Sequence, residues 1–337
     1  MNPPRALVTG AAGFIGSHLA DACLGLGMEV VGVDNLSGGF RYNVGDGVRF
    51  IEGDLRQQDF VDRLWSEAGP FDYVYHFAAY AAEGLSHHIR CFNYENNLVA
   101  STRLINAAVH HQARHFTFAS SIAVYGAGQV PLSEETQPQP EDPYGIAKYA
   151  IELDIAAASR VFGMPYTIFR PHNVYGERQH IGDRYRNVIG IFMNECLRGE
   201  PMTILGDGHQ TRAFTYIGDI VQALAQAPRI PACTNRVFNI GADEPTRVLD
   251  LAHEVARALG MDPRITHFPA RPEVVHAFAD HARVRAAFGP LPSTSLREGI
   301  SRMAAWARKR GPVEPSRFGA VELPEKLPPI WKEGLLR

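Results

Sequence analysis

Near its start the chain runs from Arg5-Ala-Leu-Val-Thr9 straight into Gly10-Ala-Ala-Gly13-Phe-Ile-Gly16. The first piece is apolar and ends in β-branched residues. After the glycines, Ile15, Leu19, Ala22 and Cys23 recur at helical spacing. Strand, glycine turn and helix in that order are the context a dinucleotide fingerprint requires. Gly10 permits the tight turn, Gly13 lets backbone approach a pyrophosphate, and Gly16 lets the helix pack on the strand. The unpaired N–H groups of the helix start would then face the phosphates. A generic glycine-rich βα turn is the plainer reading. A second strand, Glu29-Val-Val-Gly-Val33, ends in Asp34. An acid roughly 20 residues beyond the glycines is placed to bond ribose hydroxyls and repel a 2′-phosphate, which favours NAD over NADP. Arg41, in the next loop, argues mildly the other way. Asp54, beyond the third run Val48-Arg-Phe-Ile-Glu52, could bond the adenine amino group or cap the following helix.

The alternation continues. Tyr73-Val-Tyr-His-Phe77, His115-Phe-Thr-Phe-Ala119 and Tyr166-Thr-Ile-Phe-Arg170 read as strands, with helices expected near 57–67, 93–111 and 143–162. This pattern predicts an α/β fold, a Rossmann-type doubly wound parallel sheet with helices on both faces. Ligands in such sheets lie at the carboxyl ends of the strands. Asp34, Ala78-Ala79, Ser120-Ser121 and Pro171-His-Asn173 all fall there. We therefore expect an NAD-binding domain over 1–175, with returns near 213–244 that include Thr215–Gln226 and a strand at Arg236–Ile240. Residues 176–212 and 245–311 would form a smaller α/β lobe that holds substrate. A proline-rich arm spans 312–337, and Trp331, Leu335 and Leu336 could anchor it to the body or to another subunit.

Composition narrows the classes of function. A net charge of −3 argues against a dedicated nucleic-acid surface. There is no apolar run of about 18 residues and no charged-then-apolar leader, so no membrane partner and a cytoplasmic location are expected. Cys23, Cys91, Cys196 and Cys233 lack metal or redox spacing and read as buried thiols. The pairs His87-His88 and His110-His111 lack companion ligands, so no metal is expected.

Tyr144 and Lys148 stand four residues apart in Pro143-Tyr-Gly-Ile-Ala-Lys148, on one face of a helix. A free tyrosine titrates near pH ~10, too high for a base at neutral pH. A neighbouring ammonium and a cationic cofactor ring would stabilise its phenolate. Such a tyrosine can take a hydroxyl proton while hydride leaves the same carbon. Alone, the pair occurs by chance in many helices.

With Gly10–Gly16, Asp34, Ser121, Tyr144 and Lys148 in order, roughly residues 4–308 resemble an extended short-chain dehydrogenase/reductase. The nucleotide-sugar epimerases typified by UDP-glucose 4-epimerase are the nearest type. The specific stretches are Arg170-Pro-His-Asn-Val-Tyr-Gly176 and Ile204-Leu-Gly-Asp-Gly-His-Gln-Thr-Arg-Ala-Phe-Thr-Tyr216. The resemblance implies a catalytic set of Tyr144, Lys148 and Ser121, with Ser121 sharing the substrate proton and Lys148 also bonding the nicotinamide ribose. It implies cofactor contacts from Gly10, Gly13, Phe14, Ile15, Gly16, Asp34, Asn35, Asp54 and Leu55. Phe77, Ala78, Ala79, Asn97 and His172 would complete them beside Tyr144 and Lys148. Substrate would meet Ser121, Asn173, Asn187 and Val188, with Met202, Thr203 and Ile204 flanking the base and Arg212 and Arg271 on the diphosphate. Two arginines suit a diphosphate because their bonds to it are charge-assisted and bidentate.

The implied reaction inverts C4 of a UDP-sugar through a transient 4-keto sugar, with NAD as cofactor and a homodimer as the assembly. The dimer would use the helices near 93–111 and 143–162. Several positions depart from the family pattern: Ala147 before the lysine, Ala213 in place of an acid, His172, and the stretch Ala81–His88. They leave the redox chemistry standing and the sugar open among UDP-glucose, UDP-glucuronate and UDP-N-acetylhexosamine types. Arg184, Arg186 and His180 could meet a sugar carboxylate, and a residue near Ala277 would gate sugar size. A 4,6-dehydratase is disfavoured because Ser121-Ile122 carries no carboxylate. A decarboxylase, a 4-ketosugar reductase and a non-catalytic NAD-binding sensor complete the range of activities open to such a chain.

Overall fold

The structure, a computed structural model, describes residues 2–128, 130–270, 274–316, 318–319 and 321–332. All six expected strands of the first half form: Arg5–Thr9 (β1), Glu29–Asp34 (β2), Arg49–Glu52 (β3), Tyr73–His76 (β4), His115–Ala119 (β5) and Tyr166–Pro171 (β6). Their ends differ from expectation by a residue at most. With Arg236–Ile240 they make a seven-stranded sheet in the order Arg236–Ile240, β6, β5, β4, β1, β2, β3. Every pairing in it is parallel. All five residues of β5 are buried, as a strand covered on both faces requires.

One face carries Phe14–Gly25 packed against Ile217–Gln226, and the other carries Gln58–Ala68, Ala100–His110 and Pro143–Phe162. The chain steps outward from β1 to β2 and β3, then crosses back to β4 on the other side of β1. That reversal opens a crevice at the carboxyl ends of β1 and β4.

Local signals explain the helix that matters most. Pro143 opens Pro143–Phe162 and the Asp142 carboxylate accepts from Gly145 N at 2.9 Å. Gly163, at φ 75°, ends it. The helix expected near 93–111 is composite: Arg90–Asn93, a π turn at Tyr94–Val99, then Ala100–His110. Such turns frequently mark functional sites.

The second half builds short pairings beside the crevice. Thr211–Ala213 lies between Pro245–Arg247 and His276–Ala277, and Met202–Leu205 pairs with Ile265–Phe268. Helices Val188–Leu197, Val248–Ala258 and Leu296–Arg310 pack together around them. Among the described residues no helix is long and apolar enough to cross a membrane. Cys23, Cys196 and Cys233 are buried, but Cys91 is exposed, because it sits on the outer side of a short helix under the arm. Arg271, Leu335 and Leu336 lie outside the described residues.

Candidate active site

The six strands β1 to β6 all discharge into one crevice of about 520 Å³. Gly10, Asp34, Asp54, Phe77, Ala119 and Pro171, one from each strand end, line it. At the β1 turn Gly10 has φ 74°, and a Cβ there would fall 2.9 Å from Ala78 N. A Cβ on Gly16 would strike Gly10 O. Only glycine lets the turn, the first helix and the β4 end come this close. The helix Phe14–Gly25 starts at Gly13 with no side-chain cap and no acid in its first turn. Its N-terminus is therefore left to an anion in the crevice. Phe14, Ile15, Asn35, Leu55, Ala78 and Ala79 share this wall. These glycines and the uncapped helix start fit a dinucleotide.

Asp34 is anchored for such a role. Its carboxylate accepts from Ala12 N at 3.1 Å and Leu36 N at 2.8 Å. Burial nevertheless pushes its pKa up. Arg41 turns away and stacks 4.6 Å over the Phe50 ring. Asp54 accepts from Arg56 N and pairs with the Arg56 guanidinium at 2.6 Å. The following helix has Gln57, not Asp54, at its cap position, which removes the capping role.

A buried network fixes the chain after β4. Thr9 Oγ1 accepts from Phe77 N and Ala78 N, both at 3.2 Å, and meets His76 Nδ1 at 2.8 Å. His76 Nε2 meets Ser101 Oγ at 2.7 Å, and Ser101 donates to Asn97 O. Because the Ser101 hydrogen is spent on Asn97, His76 donates from Nε2 and accepts from Thr9. A neutral ring satisfies every bond, and burial lowers the His76 pKa to about 3. Asn97 does not line the crevice. Its side chain holds the Tyr80 main chain at both N (2.8 Å) and O (3.1 Å).

Across the crevice, Tyr144 and Lys148 are both buried and line the floor with Ser121. Ser121 lies close enough to the Tyr144 hydroxyl to favour its phenolate. Lys148 Nζ donates to Ala119 O at 2.7 Å and lies 5.8 Å from the Tyr144 ring centroid. Burial pulls its pKa down to about 7. Burial also pushes the Tyr144 phenol up, and the charges of Glu83 and Asp142 add to that. Beneath this floor Glu152 holds Arg170 through two bonds, the closer at 2.5 Å, and accepts from Ser120. The pair ties the catalytic helix to β6.

Toward the second half, Asn173 and Asn187 line the crevice with left-handed backbones, φ 43° and 64°. Asparagine tolerates that region better than other non-glycine residues, and its recurrence at two wall positions points to function. Val188, Thr203, Ile204 and Arg212 also line the wall. The Arg212 guanidinium spans the carbonyls of Thr211, Val274 and Val275. Met202, at the base position, points instead into the core and is fully buried.

His172, expected among the cofactor contacts, does not line the crevice and is buried behind its wall. Its Nε2 meets His281 Nε2 at 2.9 Å, its Nδ1 meets Ala213 O at 3.1 Å, and His281 Nδ1 meets Asp243 at 2.7 Å. Gly241 makes room for the pair, since a Cβ there would strike the His172 ring. Three hydrogens are needed for these three bonds, one more than two neutral imidazoles carry. Burial, with the neighbouring His281 adding to it, lowers the His172 pKa to about 4.

Gln179 is a wall residue with no motif to mark it in the sequence. Its amide is buried with neither atom partnered among the described residues. A polar group left so in a crevice points to a ligand. Arg186, expected to meet a sugar carboxylate, already pairs with Asp183 at 2.6 Å and lies over the Tyr80 ring at 4.7 Å. It is also close enough to Tyr144 to lower its pKa. Among the described residues no cluster of His, Cys, Asp and Glu could hold a metal ion.

Residues 6–241 match the NAD dependent epimerase/dehydratase family. The UDP-glucose 4-epimerase of Mycolicibacterium smegmatis is 32% identical over 314 residues, covering 91% of this chain and 99% of that protein. The crystal structure of UDP-glucose 4-epimerase from Thermotoga maritima with UDP-glucose matches with TM-score 0.85 and 33% identity, covering 91% and 99% of the two chains. UDP-glucuronic acid 4-epimerase from Bacillus cereus, in complex with UDP-glucuronic acid and NAD, matches with TM-score 0.83 and 29% identity over the same shares.

Proposed function

The chain belongs to the NAD dependent epimerase/dehydratase family, and from that premise we propose that it is an NAD-dependent UDP-sugar 4-epimerase. The observation that carries the reading is the Ser121–Tyr144–Lys148 group, on the floor of the same crevice that the glycine turn opens into. NAD, when bound, supplies the acceptor and donor for the C4 hydride. Gly10, Gly13 and Gly16 with the first helix start would hold its pyrophosphate, and Asp34 its adenosine ribose. The withdrawal of Arg41 onto Phe50 supports NAD over NADP.

Tyr144 takes the proton of the 4-hydroxyl and Ser121 passes or shares it. Lys148 supports the phenolate and orients the nicotinamide ribose. Asn173, Asn187, Val188 and Arg212 grip the diphosphate, with Thr203 and Ile204 at the base. Held there, the 4-keto sugar can turn over and receive hydride on its other face. The relatives that bind UDP-glucose and UDP-glucuronic acid support a uridine nucleotide.

A neutral hexose is the first reading for the sugar, because Asp183 already matches Arg186 and Glu83 adds negative charge nearby. Arg186 itself favours a hexuronate as the second reading. Adjacent helices expose Val99, Ile146 and Leu153, a face that supports pairing with a second copy.

The test is direct. Purified protein is incubated with UDP-glucose, UDP-N-acetylglucosamine or UDP-glucuronate, and the 4-epimer is followed by NMR. Conversion of one of them, abolished in Tyr144→Phe, is expected. Epimerisation retained by Tyr144→Phe, or a 4-keto-6-deoxy product, would overturn the reading.

A further inference from the structure

We propose that the proline-rich arm beyond Arg310 belongs to the active site, where Ile330 and Trp331 close the sugar end of the crevice and set which hexose substituents enter. This rests on the UDP-sugar reading above.

The described residues of the arm stay on the body. Val313 and the Asn194 side chain exchange two bonds, at 2.8 and 2.9 Å. Ser316 N donates to Gly182 O at 2.7 Å, and the arm lies so close there that a Cβ on Gly182 would fall 2.7 Å from Val313 Cγ1. Phe318 packs against Phe92 at 4.9 Å and Tyr80 at 5.4 Å. The Glu322 carboxylate then accepts from Cys91 N and Phe92 N, both at 2.8 Å. His88 is tied on either side, its O accepting from Glu322 N and its ring meeting Leu323 O. Finally Leu327 and Trp331 bury themselves with Ala82, Leu85, Ile89 and Tyr185 in a hydrophobic cluster separate from the main cores.

Two wall segments meet under this strap. One is the run after β4, Ala81–His88, which departs from the epimerase pattern. The other is 180–187, which carries Asp183, Arg186 and Asn187. Pro315, Ile330 and Trp331 reach the crevice between them, beside Tyr80, Tyr185 and Arg186. Trp331 stands edge-on to Tyr185 at 5.4 Å and is only 5% exposed. Arg186 lies over the Tyr80 ring at 4.7 Å and lines the same crevice as Tyr144 and Ser121, so under the UDP-sugar reading this is the hexose end rather than the nucleotide end. A rigid indole backed by a packed cluster limits volume, and its apolar face suits the C–H face of a sugar ring. Each matched relative is almost wholly covered by about nine-tenths of this chain. The motif resemblance in the sequence spans roughly residues 4–308 and does not include the arm.

The experiment compares kcat/KM for UDP-glucose and UDP-N-acetylglucosamine in the full-length protein, Trp331→Ala, Trp331→Phe and Glu322→Gln. Trp331→Ala should shift the ratio toward the bulkier sugar by about tenfold, within the range a hydrophobic contact contributes to discrimination. NAD affinity should stay unchanged. Glu322→Gln, which weakens the strap but keeps the indole, should shift the ratio the same way by a smaller factor. Trp331→Phe guards against misfolding of the alanine variant. It should also lose a tryptophan fluorescence response to UDP-glucose that UDP alone does not produce, because Trp65 and Trp306 lie outside the crevice lining. An unchanged ratio with an unchanged fluorescence response would overturn the proposal while leaving the epimerase reading intact. Failure of the unaltered protein to epimerise either sugar, or UDP-glucuronate, would overturn the reading beneath it.

Discussion

In the cofactor-free crevice Tyr144 is a phenol, because burial and the carboxylates of Glu83 and Asp142 all favour its neutral form. It becomes a base only when positive charge arrives beside it. Titration of the free protein should therefore give no phenolate absorbance from Tyr144 at neutral pH. Tyr144→Phe should cut turnover by about 10²–10⁴-fold or more with NAD affinity retained, measured by steady-state kinetics and calorimetry. Glu83→Gln removes a charge that raises the phenol, so the acid limb of the kcat profile should move to lower pH. Lys148 carries a stability signature. Burial lowers its pKa from the ordinary 10.5 to about 7. Between those values the unfolded chain binds more protons than the folded one, so stability from this group rises with pH across that window and levels off above it. Thermal unfolding of the cofactor-free protein against pH should show that rise, and Lys148→Met should flatten it.

At the scale of elements, the catalytic helix and β6 are locked by a buried ion pair, Glu152 with Arg170, each side chain about 5% exposed. Removing one partner strands a buried charge, so Glu152→Ala should destabilise the protein by about 3–5 kcal/mol in urea unfolding. This pair is not legible in the sequence, although both its elements are. Apolar runs and helical patterning are local signals, and they place Pro143–Phe162 and the six strands to within a residue. Which side chains meet across elements is a matter of tertiary packing. His76 with Ser101, and His172 with His281, are far apart in the chain. The same limit explains His172 and Met202. Their motifs are legible, but each motif spans both faces of its strand or turn, and these two side chains take the inner face. The resemblance offers Asn97 as a cofactor contact, and only the structure shows it as the clamp on the Tyr80 main chain. Arg271 lies outside the described residues. The short strands of the second half, two to four residues each, are below the length at which alternation can be recognised.

At the scale of the whole molecule, one crevice receives six strand ends, and its walls are completed by chain from both halves and by the arm. The exposed Val99, Ile146 and Leu153 lie on two neighbouring helices that run from the catalytic floor to the outer surface. A second copy seated there would brace the helix carrying Tyr144 and Lys148. Sedimentation should report a dimer for the protein and a monomer for Leu153→Arg. If C4 is oxidised and reduced within a closed crevice, the hydride that leaves C4 must return to it. UDP-glucose, UDP-N-acetylglucosamine and UDP-glucuronate carrying deuterium at C4 should be supplied to the purified protein and the products followed by NMR and mass spectrometry. The expected result is a 4-epimer from one of them, with deuterium kept at C4 and no net NADH. A 4-epimer that has lost its deuterium to solvent, label appearing at C6, or no epimer from any of the three would contradict oxidation and return at C4.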